Sequence, residues 1–113
     1  MSAAIFLAVL AAYLRALPPP LAPWRDTGEL TTAVATLGIP HPTSYPLYVL
    51  LGRVFSAATP FGGLAYRLNL LSAVAGAAAC ALLFAALRPR RGAAAAGAAA
   101  VALSLNPGFW AVA

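Results

Sequence analysis

From Leu64 to Leu105 the chain carries charge at only four positions, Arg67 and the three arginines of "RPRR" at 88–91. No other feature constrains the fold as strongly. The body from Leu70 to Leu87 is uninterrupted and apolar, and 64–87 as a helix is long enough to cross a hydrocarbon core of about 30 Å. "RPRR" ends this span. A third run, 92–105, is mostly alanine, and "NPGFW" closes it with the interfacial aromatic pair Phe109 and Trp110. The first run, 3–17, is broken only by Tyr13 and Arg15, which suit a membrane–water interface. A signal peptide is the competing reading of 3–17. It lacks a basic stretch before Ile5 and a small-x-small cleavage site after the run.

Composition supports a membrane. Hydrophobic residues make up 63% of the 113 residues and charged ones 8%, against about 25% charged in soluble domains. The net charge of +5 comes entirely from Arg15, Arg25, Arg53, Arg67, Arg88, Arg90 and Arg91, with no lysine. These arginines are scattered through apolar runs and form no solvated stripe, which argues against nucleic acid as a partner. Lysine-free, Ala/Gly/Pro/Arg-rich usage suggests a GC-rich bacterial source, hence a bacterial inner membrane. Cys80 is the single cysteine, so there is no internal disulfide and no cysteine metal cluster. It reads as a small core hydrophobe. The dense "RPRR" marks the cytoplasmic side. The expected layout is one all-α integral membrane region, 1–113: span 3–17, outer loop 18–63, span 64–87, cytoplasmic turn 88–91 and span 92–105.

The outer loop holds both acids and the only histidine, Asp26, Glu29 and His41, within sixteen positions. "LPPPLAP" at 17–23 stops any helix. "DTGE" then has the form of a capping box, with the Asp26 carboxylate on the Glu29 amide and Glu29 reaching back. Leu30, Val34 and Leu37 form one apolar stripe, and Gly38 and Pro40 close the element, giving a helix over 27–37. "IPHPTSYP" is a proline-stiffened loop. Pro46 suits the first turn of a second helix, 46–57, whose apolar face carries Leu47, Leu50, Leu51, Val54 and Phe55. "TPFGG", 59–63, is another loop. Both helices are too short to span and fit an interfacial position. Asp26 and His41 do not form a metal-ligand spacing, and no HxxH or DxD motif occurs. No cofactor is expected, with a divalent metal left open. Each polar residue also has a structural reading: caps for Asp26 and Glu29, one loop hydrogen bond for His41, snorkelling for Arg67, and interfacial anchoring for Tyr45 and Tyr48.

"DTGEL", "LGIPHPTSYPLYVLLGRVF", "AYRLNLLSAVAGA" and "NPGFWAVA", in this order from about Ala22 to the last residue, closely resemble a family of polytopic membrane proteins. That family was first catalogued as a domain of unknown function and is grouped with protein O-mannosyltransferases. Its members usually read "HPPGYPL" where this chain has "HPTSYPL", so Thr43 and Ser44 depart from the pattern. The resemblance implies a GT-C membrane glycosyltransferase. Such an enzyme faces outward and moves a mannose-like sugar from a polyprenyl- or dolichyl-phosphate carrier to a protein hydroxyl. Asp26 matches the catalytic base of the first outer loop, and Glu29, His41, Arg67 and Asn69 are the candidate donor-binding residues. The family continues into a further acidic segment just past the position of Ala113, so the piece alone is expected to be inert.

The chemistry makes a matching demand. A hydroxyl is a poor nucleophile, and a carboxylate must take its proton as it attacks the anomeric carbon. A lipid phosphate leaves without a general acid but needs cationic donors. Arg25, Arg53 or Arg67 serves, Arg67 best, beside Asn69 at a helix mouth. Two rivals stand next to this reading. A transporter portion would place its charges within the spans, whereas here they cluster outside them. A non-catalytic assembly subunit would use the same loop only to bind a partner.

Overall fold

The computed structural model describes residues 1–17, 26–42 and 44–110, with the side chain of Trp110 excepted. The expected helix stop at 18–23, Arg25, Thr43, the Trp110 ring and 111–113 lie outside the described residues. The described residues form helices and connecting turns with no strand: α1 (Ser2–Ala16), α2 (Thr27–Thr36), α3 (Pro46–Ala58), α4 (Leu64–Ser104) and α5 (Pro107–Trp110). They fall into two units, Met1–Ala16 with Ser72–Ala113, and Leu17–Leu71.

In the first unit α4 runs helically through Arg88–Arg91 and breaks at Gly92, where φ is 78° and ψ 166°. Only glycine enters that region without strain. The break therefore sits at Gly92 and not within 88–91 as the sequence suggested. An arginine run is compatible with helix, and Pro89 alone did not end it. Phe84, Ala96 and Ala100 are buried together, with Ile5 of α1 and Leu87 against them. Small alanines on one segment accept the Phe84 ring from the other. Tyr13 is buried at 5% exposure, and its hydroxyl donates to the Ser104 carbonyl at 3.2 Å. A buried phenol takes such a partner because its O–H is costly to leave unpaired. By length and composition α4 is the one described helix able to cross a membrane, while the apolar α1 and α3 are shorter.

The second unit positions the site. α3 packs through its small face, Val49, Gly52 and Ser56. A methyl built on Gly52 would lie 2.9 Å from Val34 Cγ2 of α2 and 3.0 Å from Leu68 Cδ2 of α4. Gly52 thus lets three helices meet over Val34 and Leu68, both fully or nearly buried. The apolar stripe that the sequence placed at the membrane interface, Leu47, Leu50, Leu51 and Val54, is exposed. Large side chains would hold the backbones apart, and a close crossing needs the small face instead. The α2 helix ends at Leu37 in a left-handed conformation (φ 53°), with the Gly38 amide on the Ala33 carbonyl at 2.9 Å. Leu37, not Gly38, takes the left-handed position.

Candidate functional site

Asp26 stands at the N-cap of α2, but its carboxylate makes no capping hydrogen bond. Its main-chain carbonyl accepts the Leu30 amide at 2.8 Å. The capping box read from "DTGE" does not form, because Glu29 is drawn to a different partner. Glu29 Oε1 accepts the His41 backbone N–H at 2.7 Å, and Oε2 lies 2.8 Å from His41 Nδ1. One carboxylate thereby grips both the main chain and the ring of a residue twelve positions on. His41 Nε2 faces Asp26 Oδ2 at 3.7 Å. The three residues bring one ligand-type atom each to within 4.8 Å of one another.

Two further contacts fix the ring. Tyr45 meets His41 edge to face, with centroids 5.6 Å apart and planes at 69°. The His41 carbonyl accepts the Ser44 amide at 2.8 Å, closing the turn. Ser44 (φ 70°) and Tyr45 (φ 41°) are both left-handed, a conformation costing non-glycine residues about 1–2 kcal/mol. Ser44 is the position where the resembling pattern carries glycine, so the departure noted in the sequence falls on the residue that needs positive φ.

The electrostatics follow from this geometry. The hydrogen bond with Glu29 pushes the His41 imidazole above its ordinary value, helped by the charges of Glu29 and Asp26. The backbone hydrogen bond from His41 holds Glu29 below the usual carboxylate range, and the ring adds to this. The site stays partly open, with side chains of His41, Glu29 and Asp26 exposed to 37%, 46% and 58%. Beside Glu29 a shallow cavity of about 300 Å³ is lined by Gly28, Thr32, Ala33, Thr36 and the 38–40 turn. Thr32 and Thr36 turn their hydroxyls back onto the helix carbonyls of Gly28 and Thr32.

Of the residues singled out in the sequence, Asp26, Glu29 and His41 come together. Arg67 binds main chain: Nε donates to the Phe61 and Gly62 carbonyls at 3.2 and 3.0 Å, and Nη1 to the Ser56 carbonyl at 2.8 Å. It therefore ties the 59–63 loop to the end of α3. Asn69, two residues on, is half-buried. Arg53 donates to the Ala35 carbonyl at 3.3 Å, near the end of α2, where a cation is favoured. Sequence reasoning missed Tyr45 as the packing partner of His41. A left-handed turn of Ser44 and Tyr45 carries no reliable signal in residue type.

The family model for the N-terminal domain of protein O-mannosyl-transferase TMEM260 matches residues 26–113, beginning at Asp26 itself. The chain belongs to this family. Over 83 residues it is 47% identical to the mouse protein O-mannosyl-transferase TMEM260, covering 74% of this chain and 12% of that protein. A Dictyostelium discoideum protein O-mannosyl-transferase tmem260 is 33% identical over 61 residues, covering 52% of the chain and 7% of the relative. The chain thus spans about an eighth or less of the length of these TMEM260 relatives, and both are eukaryotic. No solved structure matches.

Proposed function

We propose that the chain is the N-terminal catalytic-loop part of a membrane-embedded glycosyltransferase, which moves a mannose-like sugar from a polyprenyl- or dolichyl-phosphate carrier to a protein hydroxyl on the outer side. The relatives are named protein O-mannosyl-transferases. One observation carries the assignment: the Asp26 carboxylate stands at a helix start without serving as its cap, exposed and beside a clamped Glu29–His41 pair. In this mechanism Asp26 takes the proton of a serine or threonine hydroxyl as its oxygen bonds to the anomeric carbon. The bond from that carbon to the carrier phosphate breaks, and the phosphate leaves with the electron pair. Glu29 acts on the donor through His41, because both of its oxygens are already engaged. Arg67 contacts phosphate through Nη2 and the second N–H of Nη1, since Nε and the other Nη1 hydrogen are committed to carbonyls. The outward apolar side chains of α1, α3 and α4, among them Leu7, Leu50, Leu82 and Val101, support spans at 3–17, 64–87 and 92–105 with helices α2 and α3 at the interface.

The test is transfer by the full-length protein in detergent. Given a polyprenyl-phosphate mannose donor and a serine/threonine peptide, it should release mannosylated peptide. A purified, stably folded protein that yields no product with either carrier length would overturn the reading.

A further inference from the structure

We propose that Asp26, through Oδ2, and His41 Nε2 share a divalent first-row metal ion, with Glu29 holding the imidazole behind it and Asp26 Oδ1 left to take the proton in the transferase reading. Glu29 Oε2 sits on Nδ1 at 2.8 Å, so the neutral ring carries its proton there and presents the Nε2 lone pair on the other side. A carboxylate behind a metal-binding imidazole is the usual way to fix tautomer and orientation. The second oxygen of Glu29 grips the His41 amide at 2.7 Å, so the ring is held at both ends.

Nε2 then faces Asp26 Oδ2 across 3.7 Å. That is too long for a hydrogen bond. It lies close to the separation of about 3.0–3.5 Å between two ligands each about 2.1 Å from one ion. The charge balance points the same way. Among the described residues, the only cationic group within 4.0 Å of either carboxylate is the histidine itself. In a chain of net charge +5, Arg53 and Arg67 turn to main-chain carbonyls instead. Once the imidazole has lost its proton, two carboxylates and a neutral ring leave a local negative charge that a divalent ion offsets. One nitrogen with carboxylate oxygen suits Mn²⁺ or Zn²⁺ over Ca²⁺. Two protein ligands leave several coordination positions open, which non-bridging oxygens of a carrier phosphate fill. This last step rests on the transferase reading, whereas the metal site does not.

The probe is Mn²⁺ with the full-length protein, in mildly alkaline buffer so that the proton on Nε2 does not compete. Electron spin echo spectra of bound Mn²⁺ should carry imidazole nitrogen modulation that disappears in His41→Gln. Affinity should fall at least tenfold in Asp26→Asn, and by roughly 10–100-fold in Glu29→Gln, which disturbs only the ring's support. A thermal melt of each variant shows that the loss is not unfolding. Nitrogen modulation absent from the wild type, or unchanged in folded His41→Gln, overturns the site. Metal bound without sugar transfer would sink the transferase reading and keep the site. Transfer that proceeds with no bound metal would do the reverse.

Discussion

Gly52→Ala probes the packing that holds the site's two helices together. The added methyl would sit 2.9 Å from Val34 Cγ2 and 3.0 Å from Leu68 Cδ2, with Val34 Cγ1 at 3.4 Å. Val34 is 0% and Leu68 3% exposed, so neither side chain has room to turn away. Such overpacking costs about 1–3 kcal/mol. Alanine returns up to about 1 kcal/mol of helix propensity, so a mid-range overpacking cost of about 2 kcal/mol leaves a net loss of about 1–2 kcal/mol. Gly28→Ala is the control, since a methyl there meets nothing within 4 Å, and it should gain up to about 1 kcal/mol. The assay is thermal unfolding of the full-length protein and both variants in one detergent. Gly52→Ala should melt several degrees lower and Gly28→Ala no lower than wild type. A Gly52→Ala melting point at or above wild type would refute the close packing of α3 on α2 and on the Leu68 side chain.

Ser44→Gly relieves a left-handed residue (φ 70°) and should raise thermal stability by about 1 kcal/mol, with an unchanged or lower melting point contradicting the turn. Arg67→Gln removes donors from three carbonyls that close the 59–63 loop and should cost about 1–3 kcal/mol; a variant that loses transfer but keeps full stability would make Arg67 a phosphate ligand only. The His41 imidazole should titrate above its ordinary value of about 6.5 in chelator-treated buffer. Because that value is raised in the folded state, the stabilisation it brings is complete below about 6.5 and fades as pH rises through the folded value. For Glu29, lowered in the folded state, the stabilisation is present above about 4.3 and fades as pH falls through the folded value. Glu29→Gln should move the His41 ring resonance back toward about 6.5, and an unmoved titration would break the pairing.

Much of the second unit was legible in the sequence. "DTGEL" placed the start of α2 and Pro46 the start of α3, because cap-type residues and an N1 proline act within one turn. What the sequence hid depended on residues far apart in the chain. Whether Glu29 reaches back to Asp26 or across to His41 is decided by where the 38–45 loop returns, which no spacing encodes. Hydrophobic periodicity located α3 and its outward apolar face, with the leucines at 47, 50 and 51, but gave no sign that Gly52 makes the packing contact. The period reports a stripe, and in so apolar a chain either stripe can be the buried one. The partner of Tyr13 was hidden as well, the Ser104 carbonyl ninety-one residues away. The break at Gly92 was masked by its conspicuous neighbours, "RPRR", although glycine is the residue whose backbone allows it. For the candidate site, residue types sufficed to nominate Asp26, Glu29 and His41, and only the fold showed that Glu29 serves the histidine.

The central claim, that Asp26 is the base, is tested most directly by Asp26→Asn in the full-length protein. Asparagine caps a helix as well as aspartate does, and Asp26 makes no side-chain cap bond in any case, so the variant should melt like the wild type. Sugar transfer from a polyprenyl-phosphate donor to a serine/threonine peptide, measured beside that melt, should fall by roughly 10²-fold or more. A stable Asp26→Asn protein that transfers sugar at the wild-type rate would contradict the account and leave Asp26 as the first residue of α2's cap and nothing more.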